Sequence, residues 1–413
     1  MSHTLTLTAR LDRAHIAPSG GVVQILIQIG AEAAAAGDRL PLNVAAVVDR
    51  SGSMHGPKLD YTKQALAFLV DQVAPQDYLS VVAYDDQVKT VMDSVHITHK
   101  DALKAELARM ESGATTNLSG GLATGMQQIA RQAREKQVNR VLLMTDGLAN
   151  VGVTDPATLV GWARGWRERG LTLSTLGVGD DFAEDLLVAL AEAGGGNFHY
   201  IADPDKIPAI FAQELEGLLA VAAQALQLQV EAEPGVAIEA VAGYPPSGTP
   251  HAVSLALPDI YSGEVKSVLL RLAVAAPPAD GRLARITLDY VPAAAGLSPQ
   301  TAQVDVLVGV TSDERLLAAP PDAEVERHVS LAKAAEARDE AVRLSDAGDL
   351  TAGAVALEAA AAALAPAAAA GDAQAHEQVE ALKMQASALR SAEYDKSLRK
   401  QLRHDSHRTR RGR

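Results

Sequence analysis

Val44-Ala45-Ala46-Val47-Val48-Asp49-Arg50-Ser51-Gly52-Ser53 is the stretch that decides the fold. Five consecutive apolar residues without alternation read as a strand covered on both faces. Asp, Ser and Ser at alternate positions follow at once, in a loop that Gly52 and Gly56 allow to bend tightly. Residues 57–73 then read as a helix. Pro57 suits its first turn, and Leu59, Leu66, Phe68, Leu69 and Val73 supply its apolar side. Strand, small-residue loop and helix in succession is how open α/β sheets hold ligands, at the carboxyl ends of strands.

Downstream the same alternation continues. Residues 79–84, 138–144, 171–178 and 197–201 read as strands. Residues 100–110, 118–134, 156–169, 182–193 and a closing 204–222 read as helices. The fold class expected is α/β, a doubly wound and mostly parallel sheet over 37–222. Outside it the pattern changes. Residues 4–12 and 22–29 read as strands around the turn Pro18-Ser19-Gly20-Gly21, and the Ala/Gly stretch 31–37 reads as a linker. Beyond Leu226 short alternating strands separated by turn clusters suggest a β-sandwich over 223–318. The strands of 1–36 have no other partner, so they are expected to join it, which makes the α/β domain an insertion. Residues 319–395 turn helical and Ala-rich. Gly348-Asp349 and Gly371-Asp372 look like helix stop and start signals, and imply three short packed helices.

Composition narrows the function. The 413 residues are 48% hydrophobic but only 3% aromatic, so Leu, Val, Ile and Ala must fill the core. There is no cysteine, which excludes disulfides, thiolate metal sites and Cys nucleophiles. The net charge is −14, yet residues 396–413 hold eight Lys or Arg against the single Asp405. An acidic body is a poor nucleic-acid binder; the basic end could touch RNA, acidic lipid or the chain's own body, and its plainer reading is a disordered tail. Met1 to Arg10 has no signal-peptide pattern. The weakly polar run 352–370 contains Glu358 and Pro366 and is mostly Ala, so it reads as a soluble helix, not a membrane span. The location expected is cytoplasmic.

Asp and Ser after a strand are also ordinary turn residues, so the pentapeptide 49–53 alone is ambiguous. Two further stretches join it. Met144-Thr145-Asp146-Gly147 ends another buried strand on a carboxylate, and Gly113-Ala114-Thr115-Thr116-Asn117-Leu118 opens a helix. Together they offer short oxygen-bearing side chains to one crevice, which suits a hard cation such as Mg²⁺. The remaining candidates are plainer. His96-x-x-His99 lacks a third ligand for zinc. His55, in the loop, could contact a ligand but reads better as an exposed loop residue, and Asp85-Asp86 and Asp180-Asp181 follow strands and could line the crevice, although turn or cap roles suit them at least as well. No Ser-His-Asp signature, nucleophile elbow, phosphate loop or dinucleotide fingerprint is present.

These motifs resemble the von Willebrand factor A domain with its metal-ion-dependent adhesion site. The family pattern D-x-S-x-S, then Thr, then Asp falls on Asp49, Ser51, Ser53, Thr116 and Asp146. Thr116 fits better than Thr115 because the family's Thr commonly precedes Asn, although Thr115 stays open. The flanking strands resemble those of bacterial relatives of the inter-alpha-trypsin inhibitor heavy chains. The resemblance implies a non-enzymatic module. Ser51, Ser53 and Thr116 would be neutral ligands of Mg²⁺ (or Mn²⁺ or Ca²⁺), with Asp49 and Asp146 holding it largely through water. A vacant position would take an Asp or Glu of a protein partner. It also implies a last helix, about 204–222, that binding can shift. Two other readings compete: a scaffold whose sandwich and helices make metal-independent contacts, and a metal-dependent hydrolase, for which Arg50 and Lys58 lie near the loop without forming a convergent cluster.

Overall fold

The computed structural model describes residues 5–32, 39–134, 137–293 and 298–410. The chain divides into two compact units: Ala34–Ala222 with Ala293–Leu297, and Met1–Ala33 with Ala223–Pro292 and Ser298–Arg413. From residue 33 on, the expected linker lies outside the described residues.

Two strands, β1 (Thr6–Leu11) and β2 (Gly21–Gly30), precede the α/β unit. That unit runs β3 (Leu42–Asp49), α1 (Pro57–Gln72), β4 (Tyr78–Tyr84), β5 (Val88–His96), α2 (Lys100–Ala108), α3 (Leu118–Gln132), β6 (Val138–Thr145), α4 (Pro156–Arg167), β7 (Thr172–Val178), α5 (Glu184–Gly194), β8 (Gly195–Ile201) and α6 (Ile207–Leu219). The sheet order is β5-β4-β3-β6-β7-β8, parallel except for the antiparallel edge strand β5. The chain leaves β3 toward β4 on one side and returns to β6 on the other. The crevice above β3 and β6 is therefore the switch point of the sheet, where ligands sit in such folds. Every residue of β3 and β6 is buried, as their unbroken apolar runs imply.

β5 was not expected. Its residues are half-buried or exposed except for buried Ser94, as suits an edge strand, and the segment carries no apolar run to announce it. His96 belongs to this strand and meets the Asp77 carbonyl oxygen through Nδ1 at 3.0 Å. Helix α3 lies very close to the sheet. A Cβ at Gly121 would stand 2.5 Å from the Tyr84 ring, and one at Gly125 would stand 2.2 Å from Val47. Glycine at these positions is what lets the helix approach. The closing helix is shorter than expected. It stops at Leu219, and β9 (Val221–Ala232) begins where helix was anticipated. The run from Leu218 to Ala223 is uniformly apolar, and such a run carries no period to separate helix from strand.

The other unit continues through β9, β10 (Val236–Ala242), β11 (Ser247–Thr249), β12 (Ala252–Ala256), β13 (Val265–Val274), β14 (Arg282–Pro292) and β15 (Gln300–Leu307). These strands form two sheets, β1-β2-β13-β10 and β11-β12-β9-β14-β15. The N-terminal strands do join the first, where β2 pairs antiparallel with β1 and β13. Helices α7 (Glu314–Leu317), α8 (Ala323–Asp346), α9 (Leu350–Ala369), α10 (Ala373–Arg390) and α11 (Lys396–Arg410) follow.

The Gly-Asp pairs act as read. Gly348 and Gly371 take positive φ, and Asp349 and Asp372 accept from the backbone N–H groups of Ala352 and Ala375 at 2.9 Å. The helices they separate are not short, at 24, 20 and 18 residues. α9 is long and apolar enough to cross a membrane, yet Ala354, Leu357, Ala361 and Leu364 are buried in a core shared with α8 and α10. The basic end also differs from expectation, for 396–410 is a docked helix and only 411–413 lie outside the described residues. Leu402 is fully buried, and Ser406 donates to the Ala335 carbonyl at 3.0 Å. Arg399 and Arg403 pair with Asp346 and Asp339 of α8. The tail's charge is answered by acids some 50–70 residues earlier, which a count of local charge does not see.

Candidate metal centre

Asp49 is the last residue of β3, and Val48 stands beside Met144 of β6 in register. Asp49 and Asp146 therefore leave adjacent strands at the same end, and both are fully buried. The Asp49 carboxylate accepts from the Ser51 N–H at 2.8 Å and the Thr145 hydroxyl at 2.6 Å. Burial pushes its carboxyl upward. The hydrogen bonds of Thr145 and Ser51 oppose that without cancelling it, and Asp146 adds repulsion.

Ser51 Oγ lies 3.2 Å from Ser53 Oγ, which donates to Asp146 Oδ1 at 2.7 Å. These are ordinary hydrogen-bond separations, and ligands about 2.0–2.1 Å from a small dication on neighbouring octahedral vertices lie about 2.9 Å apart, so the cluster is compact enough to share one ion. Thr116 is buried, whereas Thr115 is exposed. A Cβ at Gly147 would stand 3.4 Å from Thr116 Oγ1 and 3.8 Å from Ser53 Oγ, ordinary contact distances that place both hydroxyls beside this residue. The five residues read from the sequence thus gather at one crevice. Among the described residues no three His, Asp or Glu side chains gather as a metal-binding group. Here two carboxylates join three hydroxyls, an all-oxygen set that fits a hard dication and leaves it only two protein anions.

The loops that carry these groups are tied to one another. Gly52 N–H donates to the Ala114 carbonyl at 2.9 Å, and Gly113 N–H to that of Arg50 at 2.6 Å. Arg50 pairs with buried Asp85 at 2.7 Å, and a Cβ at Gly113 would strike that carboxylate. Asp85 therefore fixes the loops instead of lining the crevice. Asn117 caps α3 by accepting from Gly120 N–H at 2.9 Å, which sets Thr116 just before the helix. His55 is exposed, with its Nδ1 3.2 Å from Ser112 Oγ. Asp180 accepts from the Tyr200 hydroxyl at 2.7 Å.

Lys58, in the first turns of α1, does converge on the site. Its Nζ donates to Asp146 Oδ2 at 2.6 Å. Position along the chain puts Lys58 near the loop but gives no sign that it meets this carboxylate, or that Thr145 holds Asp49. The pattern in the chain names donors to a metal, not the groups that hold those donors in place.

The family model for the von Willebrand factor type A domain matches residues 43–213. The uncharacterized protein YfbK of Escherichia coli (strain K12) is 31% identical over 194 residues, which cover 46% of this chain and 34% of that protein. Inter-alpha-trypsin inhibitor heavy chain H3 of Pongo abelii is 31% identical over 160 residues, 37% of this chain and 18% of that one. The matches thus span about a third or less of these relatives' lengths. A solved structure, von Willebrand factor type A from Catenulispora acidiphila, aligns over 97% of this chain and 96% of its own with a TM-score of 0.77. At 19% identity that is a likeness of fold. A buried parallel sheet with its crevice above Asp49 and Asp146, and a family match over 43–213, lead to one conclusion: this chain carries a von Willebrand factor type A domain.

Proposed function

We propose that the α/β unit is a non-enzymatic interaction module that captures a carboxylate of a protein partner through one divalent cation. Asp49, Ser51, Ser53, Thr116 and Asp146 would hold the ion, Mg²⁺ first, with Mn²⁺ or Ca²⁺ as substitutes. Domains of this type commonly mediate metal-dependent protein interactions. The observation that carries the reading is the donor set: two buried carboxylates at adjacent strand ends with hydroxyls 2.7–3.2 Å along the chain of contacts.

When bound, the ion supplies a Lewis-acidic point that an incoming carboxylate oxygen can ligate. The protein's part is positioning. Thr145 and the Ser51 N–H hold the Asp49 carboxylate, and Lys58 occupies one oxygen of Asp146 while Ser53 faces the other. With two protein anions the cation stays electron-poor, which favours an anionic ligand from outside. A pulldown with the full chain tests this. Partners retained in Mg²⁺ should be released by EDTA and missed by the Asp49→Ala variant, which keeps its fold. Proteins held equally under all three conditions would move the contacts to the sandwich or the helices.

A further inference from the structure

Beside the candidate metal crevice, one feature of the surface is unexplained by holding an ion. Among the described residues of the α/β unit, the exposed large apolar side chains are Val95, on the edge strand, and Leu148, which is 58% exposed. Single exposed leucines are common on protein surfaces. Leu148 differs in where it stands and in how firmly its loop is held. It lies two residues after Asp146 and next to Gly147, a Cβ on which would contact both Thr116 Oγ1 and Ser53 Oγ. Two residues further on, Asn150 Oδ1 accepts from Thr116 N–H at 2.9 Å, and the N–H groups of Asn150 and Val151 both donate to the Thr116 carbonyl. Val153 N–H then donates to Ser119 Oγ at 2.9 Å. Leu148 is thus bracketed by two residues locked to the site, each within about 7 Å along the chain.

The geometry points to Leu148 as an apolar anchor that, with the cation, reads a two-part element: a protein segment with Asp or Glu directly beside an apolar residue. This rests on the metal-dependent reading above and names the partner class. The carboxylate half follows from charge. With a dication bound, its charge and those of Arg50 and Lys58 would outweigh Asp49, Asp85 and Asp146, which favours an anionic group on the partner. The apolar half follows from Leu148. Gly52, Ser53, Ala114 and Thr115, in the two loops tied together at the crevice, are all exposed and small, so a partner backbone can come close while its neighbouring side chain covers the leucine. A pinned loop loses little freedom on binding, which lowers the cost of using one exposed side chain as an anchor.

The test is a phage-displayed peptide library with one fixed Asp flanked by random residues, panned on the full chain in Mg²⁺ and eluted with EDTA. Wild type should enrich Leu, Ile, Val, Met or Phe next to the fixed Asp. Leu148→Ala should lose that preference and bind the selected peptides about five- to thirty-fold more weakly, the span of 1–2 kcal/mol. Its Mg²⁺ affinity by calorimetry should be unchanged. EDTA-elutable clones with no apolar preference, or a preference that survives Leu148→Ala, would overturn this inference and leave the metal reading standing. Wild-type protein that binds no Mg²⁺ and yields no EDTA-elutable clones would overturn both.

Discussion

Replacing Asp49 by Asn should make the metal-free protein more stable while abolishing its response to metal. The Asp49 carboxylate is fully buried, and burial outweighs the hydrogen bonds from Ser51 and Thr145. The folded site therefore favours a neutral side chain at this position. Asn keeps the shape. Its Oδ1 can accept from Ser51 N–H, and its amide can donate to Thr145 Oγ1, since a hydroxyl both gives and takes. Relief of the buried charge should stabilise the unit by on the order of 1 kcal/mol at neutral pH, or about 2–4 °C for a unit of this size. Saturating Mg²⁺ acts in the opposite sense. At a hundred times Kd it stabilises the wild type by about 2.7 kcal/mol, roughly 5–10 °C, and should leave Asp49→Asn unmoved.

The two melting curves should therefore change order between EDTA and Mg²⁺. Both tryptophans, Trp162 and Trp166, lie in α4, so intrinsic fluorescence follows the α/β unit. If Asp49→Asn is instead less stable than wild type in EDTA, and Mg²⁺ shifts neither, Asp49 is a turn residue valued for its hydrogen bonds, and the reasoning fails.

Lys58→Met removes the cation that sits on Asp146 Oδ2. Mg²⁺ should then bind several-fold more tightly by calorimetry, while the metal-free unit loses about 1–3 kcal/mol because a buried carboxylate has lost its partner. Glu214→Gln addresses the buried cluster of Arg140, Ser174, Asn197, His199 and Glu214 that fastens α6 to the sheet. Burial alone would raise the Glu214 carboxyl. The hydrogen bond and charge of His199, the charge of Arg140 and the Ser174 hydroxyl together hold it well below the usual range. A depressed folded value stabilises above the unfolded one and fades below it. Glu214→Gln should thus cost about 3–5 kcal/mol at pH 7, and in urea melts the gap should narrow as pH falls below about 4.5. Leu402→Ala should destabilise the helical segment by about 2–4 kcal/mol and raise amide exchange across 396–410, because Leu402 is fully buried.

How much of this was legible in the sequence depended on distance along the chain. The core strands β3 and β6 announce themselves as unbroken apolar runs, β1 alternates and β2 is β-branched and apolar, so the insertion of one unit within the other could be read. The donors of the candidate site were legible because oxygen-bearing residues at strand ends and a helix start form a local pattern. What escaped was held by partners far away. Lys58 finds Asp146 across 88 residues, and the basic end finds Asp339 and Asp346 on α8. β5 escaped because its largely half-buried and exposed residues form neither an apolar run nor a regular alternation, and the last helix was overdrawn because an apolar run has no phase.

Titration of Mg²⁺ into the chelator-stripped full chain, followed by calorimetry, bears most directly on the central claim. The account expects one saturable site per chain in the wild type, and none in Asp49→Ala with its circular dichroism unchanged. Absence of a site for Mg²⁺, Mn²⁺ and Ca²⁺ in the wild type, or an undiminished site in Asp49→Ala, would contradict it.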